Sequence, residues 1–332
     1  KPQAASKIAD ALADTKPTKK SEKSVPFYEL THNNKKIIVV PAVGHLYTLA
    51  EKVKAKEYPN FDLDWFPNYK TNRSAAFTKK YVDLILKLSK NASEYFVCTD
   101  KDLEGELIGY NILKYACKQE DAKRMEFSTL TKQELINSFE KAKHHVDFPL
   151  INAGITRHYL DYIYGVNISR ALTNSIKNST GRFKIMSSGR VQGPALKIIV
   201  DKELEIKKFI PVPYWQLQLM GHIKSKDLEF FHEKNRFNKE NEAKEIYDKI
   251  KGHNGKVHDI KKDKNTINPP SPFDLTSLQV EAYRTLGMQP KSTLENAQNL
   301  YLAGLISYPR TSSQQLPESI NYKEIISKIS KQ

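Results

Sequence analysis

Cysteine is nearly absent from this chain. Of 332 residues only Cys98 and Cys117 are cysteines, and no Cys-x-x-Cys pair exists. A disulfide framework and a cysteine zinc site are therefore excluded, and a reducing, cytoplasmic setting is the default. Long apolar runs are missing as well. None approaches the roughly 18 residues that a membrane helix needs, and the N-terminus lacks the apolar core of a secretory signal. No G-x-x-x-x-G-K-[ST] loop occurs, so nothing implies nucleotide hydrolysis. Acidic residues are the minority, with 38 Asp and Glu against 53 Lys and Arg, a net charge of +15. That excess suits a polyanionic partner such as nucleic acid, with an anionic membrane surface as the weaker option.

What is present begins with alternation. Ala5, Ile8, Ala9 and Leu12 have helical spacing. A helix that starts at residue 2 or 3 suggests that a preceding strand lies outside the chain. The Lys-rich stretch 15–24 reads as a solvated, mobile linker. Residues 36–49 read as a buried strand followed by a Gly44-His45 turn, and 55–73 look irregular. A helix over 74–90, a strand into an acidic turn and helix near 94–116, a strand at 124–128 and a helix at 131–143 continue the α/β pattern. A parallel sheet with flanking helices is the economical fold. From 150 to 178 the pattern is helical, 186–206 gives a loop and another helix, and 214–223 alternates like a strand. Capping boxes at Thr276/Gln279 and Ser292/Glu295, with stops at Gly287 and Gly304, predict two short helices resembling a helix-turn-helix.

Three stretches carry chemistry. In "LISYPRTSS" the phenol of Tyr308 precedes Pro309, which favours extended backbone, and is followed by Arg310. A phenol is a poor nucleophile unless a cation stabilises the phenolate or takes charge from the phosphate it attacks; the alternative is a core tyrosine before a turn. In "CTDKDLEGE", Asp100, Asp102 and Glu104 crowd a strand end and the following helix start, which suits an oxygen-loving cation such as Mg²⁺, a carboxyl that keeps a proton, or simple helix capping. Gly105 and Gly109 would let a neighbour approach that helix. In "RHYLDYIYGVNISRALT" and "SSGRVQGP", Arg157, Asp161, Arg170, Arg190 and Gln192 lie among tyrosines, as single-strand binding requires. The alternative reading takes Arg157 and Asp161 as an ordinary i,i+4 ion pair, and His45 and His158 as structural or surface histidines.

Taken in order, "KPQAASKIADAL", "VGHLYTL", "TDKDLEGE", "ITRHYLDYIYGVNISRALT", "SSGRVQGPAL", "PPSPFDLTSLQVEA" and "AGLISYPRTSS" resemble a type IA DNA topoisomerase of the archaeal topoisomerase I and topoisomerase III kind. The resemblance implies a multidomain, incomplete fold: an α/β TOPRIM domain at 1–145, a helical DNA-binding base segment at 146–208, the first part of a β-rich arch at 209–270, and the start of a helical, winged-helix-like tyrosine domain at 271–332. It implies Tyr308 as the nucleophile that joins a 5′-phosphate. Arg310, Lys1, His45 and Glu104 would sit around the scissile group, with Asp100, Asp102 and Glu104 as the Mg²⁺ site. Arg157, His158, Asp161, Arg170, Arg190 and Gln192 would line the DNA path. The implied substrate is single-stranded and negatively supercoiled DNA, without ATP or a membrane, in a nucleoid-associated cytoplasmic protein.

The sequence departs from the family pattern in places. The family glutamate before Lys1-Pro2 has no counterpart here, His158 stands where some relatives have arginine, Leu103 where many have arginine, and Ser312 where many have aspartate. The chain also ends soon after the tyrosine, so a fragment is expected, able to bind DNA but not to relax supercoils. Two other function classes fit parts of the sequence. One is a non-catalytic helix-turn-helix DNA-binding protein; the other is a TOPRIM nuclease or primase, which would not need Tyr308.

Overall fold

Apolar spacing in the first helix is what anchors the fold. The computed structural model describes residues 1–53, 58–316 and 321–331 and divides into two units, 1–192 with 270–332, and 193–269. In the first unit, α1 (Pro2–Leu12) starts with Pro2 in its first turn, where a missing N–H costs nothing. It buries Ala4, Ala5, Ile8, Ala9, Ala11 and Leu12. That stripe packs with Met125, Phe127, Leu130, Leu135, Tyr301 and Tyr308 in one core, so the N-terminal helix and the tyrosine-bearing segment share one hydrophobic cluster.

Strands β1 (Thr18–Glu22), β2 (Val25–His32) and β3 (Lys35–Val39) form an antiparallel sheet in that order. The expected linker at 15–24 is thus largely an edge strand. Lys19 and Lys20 are both exposed, and Lys20 pairs with Glu29 at 2.7 Å. Lys23-Ser24 turns the chain with φ values of 49° and 66°, as does Asn33-Asn34 with 48° and 64°. Two consecutive positive-φ residues make the tight turn that matches strand twist. Lys-Ser is an uncommon pair for it, which hid the hairpin in the sequence. The strand expected within 36–49 is the other edge of this sheet and only half-buried, because Lys35, Lys36 and Ile38 face solvent.

β4 (Tyr47–Glu51) pairs with β5 (Leu63–Pro67), followed by α2 (Asn68–Thr71) and a 3₁₀ turn, Arg73–Thr78. The region expected to be irregular at 55–73 is therefore ordered from Leu63 onwards, because Trp65 and Phe66 half-bury their rings; residues 54–57 lie outside the described set. α3 (Lys79–Ser89) buries Tyr81, Val82, Leu84 and Ile85. Next come β6 (Phe96–Val97), α4 (Leu103–Tyr115), β7 (Lys123–Arg124) and α5 (Lys132–Glu140). β6 and β7 pair in parallel, so the strand–helix–strand unit is present with a short ladder, and the remaining strand pairs of this unit are antiparallel.

The 33-residue α6 (Phe148–Thr180) is capped by Asp147, whose side chain accepts from the Leu150 N–H, and stops at Gly181 in left-handed geometry. α9 (Leu275–Leu286) and α10 (Pro290–Ala303) are the two capped helices. Their stops at Gly287 and Gly304 hold, with φ of 64° and 83°. Their starts differ from expectation. Asp274 and Ser277 form the capping box of α9, two residues before Thr276/Gln279. α10 begins at Pro290, which puts Ser292 inside the helix, where it cannot cap. α11 (Tyr322–Ile329) follows.

In the second unit, α7 (Gln192–Lys208, which starts at the boundary) is followed by the hairpin β8 (Gln218–Ile223) and β9 (Lys226–Phe231), then α8 (Glu240–Ile250). Trp215 and Phe237 exchange backbone hydrogen bonds of 3.0 and 2.9 Å. Phe237 and Ala243 are its buried apolar residues.

Candidate active site

Two carboxylates at the β6–α4 turn meet two tyrosines that arrive from about two hundred residues away. Asp102 is the N-cap of α4 and accepts from the Gly105 N–H at 2.6 Å. Asp100 precedes it, and the Asp102 N–H donates to the Asp100 carbonyl at 2.9 Å. The turn can form because α4 lies close on its own strand. A Cβ on Gly105 would come within 2.1 Å of the Asp100 carbonyl oxygen, and one on Gly109 within 2.4 Å of Val97 Cγ1. The close approach anticipated from those two glycines is thus made by the acidic turn and β6.

Beneath the turn lies Arg124, fully buried, from β7. Its Nε donates to Glu106 at 2.5 Å, Nη1 to the carbonyls of Val97 and Met125 at 3.2 and 2.6 Å, and Nη2 to the Asp100 carbonyl at 3.2 Å. This clamp holds the backbone that carries Asp100. Sequence reasoning passed over it; β7 is only Lys123–Arg124, and nothing local marks this arginine as buried.

The phenol of Tyr308 donates a short hydrogen bond to Asp102 Oδ2. Its backbone N–H donates to the Ser128 carbonyl at 2.8 Å, so the residue is held at both ends. Tyr301, buried in α10, packs edge-on at 5.1 Å and donates to Asp100 Oδ1 at 3.4 Å. Its part in the site is not legible from the sequence. Lys1 Nζ lies 2.7 Å from Asp100 Oδ2 and 6.0 Å from the Tyr308 ring centroid. Burial, the hydrogen bond to Asp102 and the charge of Asp100 push the Tyr308 phenol far above its ordinary pKa, and Arg310 opposes them. Burial and Asp100 do the same to Tyr301. Arg310 itself is exposed.

Glu104 sits in a different company. His45 Nε2 and His158 Nε2 lie 2.8 and 3.1 Å from its Oε2, and Arg157 Nη1 lies 3.2 Å from Oε1. Gly44, with φ of 109°, turns the chain into His45, and Asn68 Nδ2 donates to the His45 carbonyl at 3.2 Å, fixing the loop. The Trp65 ring lies 5.5 Å from that of His158. Burial would raise the Glu104 pKa, but hydrogen bonds from His158 and His45 and their charges hold it below the usual range. Burial, aided by His158, lowers that of His45 against the pull of Glu104. Asp100, Asp102 and Glu104 do not converge as one trio of ligand atoms; among the described residues the three-membered set that does is His45, Glu104 and His158.

A charge ladder continues along α6. Arg157 Nε is 3.7 Å from Asp161, which receives Arg190 Nε at 2.6 Å and Nη2 at 3.3 Å. Hydrogen bonding from Arg190 lowers the Asp161 pKa. Arg170 pairs with Glu51 at 2.6 Å. Gln192 is exposed at the start of α7. Burial pushes the Cys98 thiol up to about 11.

For Mg²⁺ the donor chemistry fits at Asp100 and Asp102: carboxylate oxygens on one turn, with an ammonium on Asp100 that marks the place where positive charge is wanted.

The chain is similar to known proteins over its whole length. Residues 1–130 match the Toprim domain and residues 145–332 match the DNA topoisomerase family. The chain is 50% identical to DNA topoisomerase 1 of Methanocaldococcus jannaschii, covering 100% of this chain and 43% of that protein. It is 44% identical to DNA topoisomerase 1 of Pyrococcus horikoshii, covering 100% of this chain and 48% of that one. It therefore spans less than half the length of these relatives. The structure of full-length topoisomerase I from Thermotoga maritima superposes with a TM-score of 0.64 at 22% identity, over 99% of this chain and 52% of that one, which shows a shared fold. No helix among the described residues is long and apolar enough to cross a membrane. With both profiles in the expected order and the second spanning more than half of the chain, this protein belongs to the DNA topoisomerase family.

Proposed function

We propose that this chain carries the cleavage centre of a type IA DNA topoisomerase, an ATP-independent isomerase acting on one strand at a time. The observation that carries the reading is the Tyr308 hydroxyl hydrogen-bonded to Asp102 Oδ2, 206 residues away in the chain. The Tyr308 oxygen attacks a phosphodiester phosphorus and its proton passes to Asp102. The bond to the 3′ oxygen breaks, and Lys1 protonates the leaving group. The product is a 5′-phosphotyrosine, and the reverse steps reseal the strand with no net change in bond energy. Because burial and carboxylates disfavour the free phenolate, the proton leaves as the new bond forms rather than before it. Arg310 takes up phosphate charge.

Asp100 and Asp102 would hold Mg²⁺, which when bound supplies positive charge against the DNA backbone. Glu104 and His45 complete the site wall. Arg157, His158, Asp161, Arg170, Arg190 and Gln192 line the strand path, and negatively supercoiled DNA is the substrate of the whole protein. The partition into 1–145, 146–208, 209–270 and 271–332 belongs to the same reading.

The test uses single-stranded oligonucleotides labelled at the 3′ or the 5′ end, incubated with and without Mg²⁺ and denatured in SDS. Label on the protein is expected with the 3′-labelled strand alone, and none with Tyr308→Phe. An adduct that persists in Tyr308→Phe, or one that carries the 5′ label, sinks the assignment.

A further inference from the structure

Glu104 is the point at which two different kinds of metal chemistry separate. Its Oε2 receives two imidazole nitrogens, while Asp100 and Asp102 face tyrosine and lysine. From this geometry we infer that His45, Glu104 and His158 form a binding site for a borderline-soft divalent transition cation of the Zn²⁺ kind, separate from any oxygen-only Mg²⁺ ligands.

The donor set argues for it. Two imidazole nitrogens and one carboxylate oxygen are the ligands that Zn²⁺ and its neighbours take, whereas Mg²⁺ prefers oxygen in near-octahedral array. So does the spacing. A tetrahedral ion with ligands at about 2.0–2.1 Å spaces its donors about 3.4 Å apart. Here Nε2 of His45 and of His158 are 2.8 and 3.1 Å from Glu104 Oε2, and all three donor atoms lie within 4.8 Å of one another. Only a small outward shift admits the ion.

Two further features keep the site ready. Without a cation the Glu104 carboxylate holds the proton on His45 Nε2, and an ion that takes the Nε2 lone pair moves that proton to Nδ1, which is buried and has no other hydrogen-bond partner. The backbone of His45 is fixed by Asn68, and His158 is held on α6 against Trp65. Arg157 engages the opposite carboxylate oxygen, Oε1, and leaves Oε2 to the imidazoles. The fourth position of a tetrahedral ion would be open to water or to an anion. A cation there takes Glu104 away from any other task, so loading the site would regulate the chain through competition for that one carboxylate.

Trp65 makes the site readable, since its ring lies 5.5 Å from that of His158. The chain has two tryptophans, Trp65 and Trp215. The experiment titrates the full chain, stripped with chelator and free of DNA, with Co²⁺ in a large excess of Mg²⁺, in a Trp215→Phe background. It follows the visible ligand-field bands and the Trp65 emission. The expected result is one equivalent of tightly held Co²⁺ with intense tetrahedral bands and quenched Trp65, reversed by Zn²⁺ and not by Mg²⁺. Glu104→Gln and His158→Ala should each weaken binding by at least the about 10–100-fold that loss of an outer-sphere partner costs. Asp100→Asn should leave it unchanged. His158→Gln, closer in size, replaces His158→Ala if far-UV circular dichroism shows the latter to be unfolded. Displacement of Co²⁺ by Mg²⁺, which would place the metal on oxygen ligands, or equal binding in the folded His158 and Glu104 variants, which would place it on other histidines among the nine, overturns the inference. Because no DNA is present, failure here leaves the adduct test of the cleavage centre untouched.

Discussion

Replacing Arg124 with methionine tests the foundation of the acidic turn. Arg124 and Glu106 are 0% and 1% exposed, with Nε and Oε1 2.5 Å apart. The other guanidinium nitrogens satisfy the carbonyls of Val97, Met125 and Asp100. Methionine keeps most of the stem's volume but removes the charge and every one of these donors. Breaking one side of a buried pair costs about 3–5 kcal/mol, because the remaining charge is stranded. Orphaned carbonyls add to that, by about 1–3 kcal/mol for a buried group left unsatisfied.

The stranded Glu106 then escapes by taking a proton. Its folded pKa, already pushed up by burial against the pull of Arg124, rises further once the arginine is gone. A carboxyl with a raised folded pKa is most stabilising below its unfolded value of about 4.3, and that contribution is lost as pH rises through the folded value. Arg124→Met should therefore be several kcal/mol less stable than the parent at pH 7.5 and recover part of the loss on acidification. The double variant Arg124→Met/Glu106→Gln should be milder and indifferent to pH over the same range. Urea unfolding followed by circular dichroism at pH 5 and 7.5 reads all of this. A single variant within about 1 kcal/mol of the parent, or one whose deficit ignores pH, would refute the reasoning. Adduct formation should fall with it, since the backbone of Asp100 loses its clamp.

Other perturbations probe the same frame. Gly105→Ala forces a Cβ against backbone at 2.1 Å and Gly109→Ala one against a valine methyl at 2.4 Å; overpacking costs about 1–3 kcal/mol, and the first should be the worse because a carbonyl cannot rotate away, as thermal melts would show. Glu126 is pulled below the usual carboxylate range by hydrogen bonds from Lys101 and Lys143 in spite of its burial. The stability it contributes is complete above about pH 4.3 and disappears as pH falls through its folded value; Glu126→Gln should flatten the acid limb of the stability profile, and an unchanged limb would exclude Glu126 as its source. Asp274→Ala removes the capping box of α9 and should cost about 0.5–2 kcal/mol by denaturant melting, with Asp274→Asn close to neutral.

The sequence was most readable where one physical signal sufficed. α1 follows from its apolar stripe, α9 and α10 end at the two glycines that were expected, and the acidic turn lies between β6 and α4. Reading failed where partners are distant. Nothing local in "KRMEF" says that Arg124 will meet Glu106 and the Asp100 carbonyl, and nothing in "NLYLAG" says that Tyr301 will reach Asp100. The hairpin turn at Lys23-Ser24 lacks the residues that usually announce one. The helix starts were misplaced because Asp274 and Pro290 each fit a cap or first turn better than the Ser and Thr hydroxyls a few residues downstream. As for the acidic trio, spacing puts Asp100, Asp102 and Glu104 in one neighbourhood, but the backbone divides them. Asp102 is spent on the helix cap and Tyr308, whereas Glu104, two residues further on, faces α6 and the His45 loop.

The ladder of ion pairs on α6 bears on how salt would govern DNA binding. Arg157, Arg190 and Arg170 each rest on a carboxylate of the protein itself: Glu104 with Asp161, Asp161 again, and Glu51. A phosphate that takes one of these guanidinium groups costs a protein carboxylate that partner and leaves it more attractive to a cation from solution. Contact with a single strand ordinarily releases counterions, with a slope of about −0.7 in log affinity per log salt for each phosphate neutralised. Where a protein carboxylate is the group displaced, uptake cancels release. Binding through this helix would then be an exchange of one anion for another, with a shallower salt dependence than its arginines would suggest, and discrimination would come from how well a strand's phosphates fit the guanidinium groups.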